Sequence, residues 1–404
     1  MSAADAADAP FGTTAGVPNG VLTAASTRGG WAWVAVRLAP AALLDEHRGY
    51  ADVPEARRLA EAVHGESAWL QSLLTPGAGL RFELRVRNDP PSGLLHAALL
   101  GQVRAADEHA AVRAALALRD RLAYTPRHVR AEAVTDTAEV RHWLAPLTPH
   151  PQGLAELRKP LAHAPCTRND TGRAVSFAVS PLAAGARSWE PVWAELGRLA
   201  FPALFGVCLE PYAPGEDVRA AFGALAQEYA HLSVPGPVRP TWNAPAPPDA
   251  FAGRAVVAAR DAMVRYAGPA FRARASLAGA GPLPPGLAEQ IAAAAGGAVV
   301  RRPPVEEAGP AWANIAGLNR NWLDATYGQG APARSLNPVE RLLADLLDVS
   351  EAATALRLPY EAAGHQPLFA TPERVPDPRA GHGMAAGRRA GPYGEDPGAP
   401  RFDV

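Results

Sequence analysis

Apolar and polar positions alternate most cleanly in Leu80-Arg-Phe-Glu-Leu-Arg-Val-Arg87. Leu80, Phe82, Leu84 and Val86 fall on one face, and Arg81, Glu83, Arg85 and Arg87 on the other. Strict period two predicts a strand with one buried face. The turn cluster Asn88-Asp-Pro-Pro-Ser-Gly93 follows it, and Leu94 to Val103 returns as a second strand, so a hairpin with one wet face is expected. Trp31-Ala-Trp-Val-Ala-Val36 reads as a buried strand. Pro54 to Leu74 reads as helical, with a break near Gly65.

A helix is expected from Asp107 to Tyr124, with Ala111, Ala115, Leu118 and Leu122 on one stripe. Asp107 caps it and Pro126 closes it. A strand from His128 to Val134 and a short helix from Asp136 to Trp143 complete a first unit. After a Pro-broken stretch at 146–172, strands are expected at 174–179 and 203–210 and a helix at 188–201. The helix at 216–232 has the clearest period, with Val218, Phe222, Leu225, Tyr229 and Leu232 on its core face. Pro235 to Pro248 reads as a linker. Beyond it come a helix capped by Asp249, a strand at 271–277, a helix at 285–295 and a strand at 298–302.

The resulting class is α+β, with two sandwich-like units of antiparallel or mixed sheet and helices on one sheet face. The boundaries are 1–28 for a flexible N-terminus, 29–146 and 147–302 for the two units, 303–370 for a helical C-terminal segment and 371–404 for a disordered tail. Whether the units are degenerate copies is left open by the sequence, since no repeat is visible residue by residue. The helix from Pro338 to Leu347, with Asn337 as its cap, carries a broad apolar stripe of Val339, Leu342, Leu343, Leu346 and Leu347. That stripe is either core or a partner interface.

Composition narrows the chemistry. The chain has 404 residues, 48% of them hydrophobic, and a net charge of −1, which disfavours a globally basic nucleic-acid-binding domain. Lys159 is the only lysine and sits beside Pro160, so no Gly-Lys-Ser/Thr phosphate loop exists and a Schiff-base lysine is disfavoured. Cys166 and Cys208 stand apart in no metal-ligand spacing, and neither His142/His150 nor His163/Cys166 places two ligands on one helix face. No cofactor, metal or catalytic residue is therefore assigned. The N-terminus lacks a signal-peptide pattern and no apolar run reaches the roughly 18 residues of a membrane span, so a cytoplasmic location without membrane contact is expected. The arginines offer one site. Arg81, Arg85 and Arg87 share a strand face and Arg272 and Arg274 share another, which together could contact phosphates, although a plain charged wet face is the simpler reading.

One segment resembles a known family. Leu336-Asn-Pro-Val-Glu340 and Val349-Ser-Glu-Ala-Ala-Thr-Ala-Leu-Arg-Leu-Pro359 are similar to a junction in HerA/FtsK-type ATPases and conjugative secretion ATPases. There a short helix links an α+β N-terminal region to the motor. This chain has no motor motif after the junction. The resemblance therefore implies a stand-alone, non-catalytic assembly subunit, homo- or hetero-oligomeric, beside a separately encoded ring-forming ATPase. Two other readings stay open: an enzyme of unrecognised class with a site in the groove between the units, and a module contacting nucleic acid through its arginine faces.

Overall fold

The computed structural model describes residues 14–371 apart from 28, 42–43, 45–47, 51, 76–78, 169–170, 240–243, 332–335 and 362–365. The tail expected at 371–404 lies outside the described residues except for Thr371, as do residues 1–13 of the expected flexible N-terminus.

Residues 15–26 are strands rather than loose chain. Strand β1 (Ala15–Val17) turns into β2 (Val21–Ser26) through Asn19 and Gly20, both at positive φ (66° and 69°). Asn-Gly suits this backbone because neither residue strongly resists the left-handed region. A Cβ on Gly20 would also meet the carbonyl of Val134 at 2.2 Å, so only glycine fits.

The first half continues with β3 (Gly29–Pro40), α1 (Glu55–Leu73), β4 (Leu80–Asp89), β5 (Leu94–Ala105), α2 (Glu108–Leu122), β6 (Val129–Ala133) and α3 (Thr137–Leu144). Helix α1 runs unbroken through Gly65, whose α-helical neighbours on both sides carry it. Asp107 caps α2 by accepting from Ala110 N at 2.8 Å, and Asp136 caps α3 through Ala138 N.

The second half begins at β7 (Leu154–Arg158), a fully buried strand inside the stretch expected to be Pro-broken. A ribbon of β8 (Leu161–Pro165) and β9 (Val175–Val179) leads to α4 (Glu190–Gly197) and β10 (Ala203–Tyr212). A helical hairpin follows: α5 (Glu216–Leu232), a small ribbon β11 (Val238–Arg239) and β12 (Ala244–Pro245), then α6 (Ala252–Arg265). The half closes with β13 (Ala270–Gly279), α7 (Leu287–Ala294), β14 (Val299–Arg301) and α8 (Val305–Gly317). The C-terminal segment adds α9 (Asp324–Tyr327), α10 (Pro338–Asp345), β15 (Leu346–Leu347) and α11 (Val349–Ala355).

Both halves thread the same path. In each, a strand–helix–strand–strand–helix–strand order places the fourth strand beside the first, the first beside the third and the third beside the second. The spatial orders are β6-β3-β5-β4 and β14-β7-β13-β10, every pair antiparallel. This is the split βαβ arrangement of ferredoxin-like units, written twice. A further helix, α3 or α8, follows each copy.

The copies are not separate units. Their second strands β4 and β10 pair antiparallel from Leu204 opposite Arg87 to Leu209 opposite Phe82, which makes one continuous eleven-stranded sheet. The mixed α+β class holds, and the expected boundary at 146/147 falls between α3 and β7, where the chain passes from one half of this sheet to the other.

Nor do the helices keep to one face. Trp69 and Leu70 of α1, Leu118 of α2, Trp193 of α4 and Ile291 of α7 pack with Phe82, Leu84, Phe205 and Leu277 in the largest core. On the opposite face, Val140 and Trp143 of α3 cover Trp31, Trp33 and Leu100, and Ile315 of α8 covers Leu154, Leu204 and Ala278. The face expected to be wet is therefore interior. Alternation along a strand tells that two faces differ, not what lies over the polar one.

Candidate functional site

The join between the halves carries the densest chemistry among the described residues. Glu83 of β4 is fully buried and accepts from Arg85 Nε at 2.8 Å and from Arg274 Nη2 of β13 at 2.8 Å. The remaining Arg85 donors reach the carbonyls of Trp143 and Leu144 at the end of α3, both at 2.7 Å, and of Ile315 near the end of α8 at 2.8 Å. Helix C-termini present unsatisfied carbonyls and partial negative charge, so a guanidinium lying between two of them is favourably placed. Gly206 sits opposite Arg85, where a Cβ would lie 2.5 Å from Glu83 Oε1. Glycine at this point makes room for the carboxylate.

Arg274 also donates to the carbonyl of Asn319 at 3.1 Å and to Ser276 Oγ at 2.8 Å, and Ser276 donates to Glu156 Oε2 of β7 at 2.9 Å. A second knot lies beside the first. Glu210 accepts from Arg81 Nε at 2.8 Å and from Arg320 Nη2 at 2.7 Å. Arg320 in turn stands 3.7 Å from Asp345 of α10, which also pairs with Arg158 and, at 3.5 Å, with Arg272. The seam thus ties β4, β7, β10 and β13 to α10 by charge.

Burial pushes the Glu156 carboxyl up to about 7, against the pull of Arg274 and Arg158. Its Oε1 finds no hydrogen-bond partner, and neither does the buried hydroxyl of Tyr327. For Glu210, burial again pushes upward, but Arg320 and Arg81 outweigh it and hold the group at about 2. Burial raises the Cys208 thiol to about 11, which leaves it protonated and unreactive at neutral pH.

A pH-dependence follows with a definite sign. Because Glu156 titrates near 7 when folded and near 4.5 when not, its contribution is complete below 4.5 and is lost as pH rises through 7. The loss is on the order of 3 kcal/mol at 1.36 kcal/mol per unit. Glu156→Gln should remove that slope, measured by urea unfolding at pH 5 and pH 8. Equal slopes in the two proteins would show that Glu156 ionises normally.

Three of the five arginines singled out from the sequence therefore meet carboxylates and carbonyls, not solvent. Arg81, Arg85 and Arg274 lie inside the seam, each 6% exposed or less. Arg272 pairs with Asp345, and Arg87 stacks over Trp143 at 4.8 Å from the ring centroid. Arg81, Arg85 and Arg274 are thus covered by neighbouring chain, including residues 318–320, whereas Arg87 and Arg272 stay partly exposed. The α10 stripe is likewise interior: Leu342, Leu343 and Leu346 pack with α5 and α6, Leu347 joins the main core, and half-buried Val339 packs against the α5–α6 cluster.

No protein-family model and no curated protein matches the chain. Site assignment therefore rests on geometry.

Two further buried clusters escaped sequence reasoning. Lys159 donates to Tyr266 Oη and to the Leu346 carbonyl at 2.9 Å, and lies 3.4 Å from Glu351, which accepts from Tyr266 at 2.8 Å. Burial lowers the pKa of its ammonium in spite of Glu351. The adjoining cavity, between β9, α5, α6 and α10, measures about 20 Å³, room for a single water. The other cluster joins Glu66 of α1 to Arg357 at 2.8 Å and to His128 at 3.3 Å, with Tyr50 behind His128. Glu340 and Glu351 each close a capping box, with Asn337 and Asp348, and each also accepts from a buried tyrosine, Tyr229 and Tyr266. The sequence shows those boxes as S/T/D/N-x-x-E patterns but not the tyrosines, which lie about 110 and 85 positions upstream.

A concavity of about 330 Å³ opens on the α3 side of the sheet, lined among others by Arg37, His96, Arg130, Glu132, Trp143 and Thr371. Wider ones of about 700 Å³ and 360 Å³ lie between α4 and α7 and beside Arg173 and Glu228. Among the described residues no group of His, Cys, Asp and Glu is arranged to hold a metal, and no helix is long and apolar enough to cross a membrane.

Proposed function

We propose that this chain is a non-catalytic interaction and assembly subunit, acting beside a separately encoded ring-forming ATPase of the HerA/FtsK type. Similarity over residues 336–359 supports the choice of partner class. The observation that carries the reading is the α5–α6 hairpin. It is inserted between the second and third strands of the second half and has no counterpart in the first. Its inner face packs Phe222, Leu225, Tyr229, Ala255 and Ala259 together and against Leu343 of α10. Yet Val234, Val238, Val257, Met263 and Val264 stand exposed along it, Val257 at 67% and Val264 at 81%. Tyr124 and Val305 are the other strongly exposed large apolar side chains among the described residues. Clustering of exposed apolar residues on an added element supports a docking role for it. The buried charges support the same reading, since their donors are engaged in holding the halves together.

The test uses the full chain carrying Val257→Asp and Val264→Asp. Surface changes away from caps and cores shift stability by about 0.5 kcal/mol at most, so the melting midpoint should hold. Co-expressed with a HerA/FtsK-type ATPase of the same genome, the unmodified tagged chain should co-purify with it and the variant should not. Recovery of the ATPase with both proteins, or with neither, would overturn the reading.

A further inference from the structure

The described part of the chain's own C-terminal segment ends at the 330 Å³ concavity on the α3 side. Leu368 to Ala370 lie parallel to the start of β5: Leu95 N donates to the Leu368 carbonyl at 2.8 Å and Ala370 N to the Leu95 carbonyl at 2.8 Å. Phe369 is fully buried, its ring edge-on to Trp193 at 4.9 Å. This is strand addition with an aromatic anchor, made within one chain. Register then delivers Ala370 and Thr371 into the 330 Å³ groove, where both form part of the wall.

The next residues are Pro372-Glu-Arg-Val-Pro-Asp377, followed by Pro378. Thr371 precedes a proline and is thereby biased toward extended backbone, and prolines at 372, 376 and 378 favour a polyproline II path. Such segments bind in aromatic-lined grooves at low ordering cost. The groove supplies Trp143, whose ring already carries the Arg87 guanidinium, together with Arg37, Arg130 and His96. Residues 372–377 carry Glu373 and Asp377 against Arg374, a net −1. Of the two arginines in the lining, Arg37 already pairs with Glu132 at 3.1 Å and Glu139 at 3.5 Å, and Arg130 is the other cation facing such a segment. From this placement and charge we propose that residues 372–377 of this chain occupy the groove, so that any other Pro-rich acidic peptide must displace them to bind there. The proposal is independent of the α5–α6 surface.

His96 provides the readout, because it lines the groove and faces Arg87 and Asp89 on β4 and His142 on α3. Its modification by diethyl pyrocarbonate in the full chain, mapped by mass spectrometry, should be slow. Glu373→Lys with Val375→Asp should raise the rate severalfold without moving the melting midpoint. A synthetic peptide of residues 370–379 added to that variant should slow it again. The same His96 rate with and without the two substitutions, or no protection by the peptide, would overturn the proposal. Arg130→Glu in the unmodified tail should also raise the rate, and an unchanged rate there would count against it equally.

Discussion

Glu83→Gln is expected to cost about 3–5 kcal/mol. Removing one partner of a buried ion pair leaves uncompensated charge, and here two guanidiniums, Arg85 and Arg274, lose their shared carboxylate. Both are 2% exposed or less, so water cannot replace it. Because Glu83 belongs to one half and Arg274 to the other, the two halves should melt in one transition before and after the change. Urea unfolding followed by tryptophan fluorescence and by far-ultraviolet circular dichroism checks this. Coincident curves displaced by several kcal/mol are expected. A shift below about 1 kcal/mol would mean that the seam is not holding the sheet together.

Trp193→Ala is expected to be comparably severe, about 3–5 kcal/mol, through lost burial and an unfilled cavity rather than charge. The Trp193 ring is 1% exposed and meets Tyr360 and Phe369 edge-on, both at 4.9 Å, with Trp189 at 6.4 Å. Helix α4, which carries it, belongs to the second half but packs on β4 and β5 of the first. The same side chain therefore supports the cross-half contact and the C-terminal segment. Thermal unfolding of the variant should show a lower midpoint, and limited proteolysis should release residues beyond Tyr360 earlier than in the unmodified chain. Loss of stability without earlier release would show that the C-terminal segment is held independently of Trp193.

Local signals made much of the fold legible. Asp107 and the stripe Ala111, Ala115, Leu118 and Leu122 place α2 correctly, and the period of Val218, Phe222, Leu225 and Tyr229 places α5 at its observed ends. Asn337 and Pro338 mark the start of α10. What stayed hidden is non-local. Glu83 pairs across the sheet with Cys208, about 125 positions away, and nothing in either strand names the other. Strand β7 reads as a broken stretch because prolines stand on both sides of Leu154-Ala-Glu-Leu-Arg158, and α8 is obscured by Pro310 within it. The hairpin of β1 and β2 was legible in Asn19-Gly20, which the proline and glycine around it disguise as loop.

The candidate site shows the same division. The arginines of β4 and β13 are conspicuous from their spacing, but their surroundings are the reverse of those expected. A charged strand face reads as solvated until helices from elsewhere in the chain, α3 and α8, are known to lie on it. The carboxylates that complete the seam, Glu156, Glu210 and Asp345, each sit singly among apolar neighbours, where one acidic residue carries no pattern.

Lys159 gives the molecule an unusual reporter. As the only lysine, and 4% exposed beneath the Leu346 carbonyl and Glu351, it offers amine-directed reagents a single side-chain target that the folded state withholds. Acylation at residue 159 must wait for β15 and α11 to lift away. Its rate, compared with that of an unfolded peptide, measures the free energy of that opening without any engineered label.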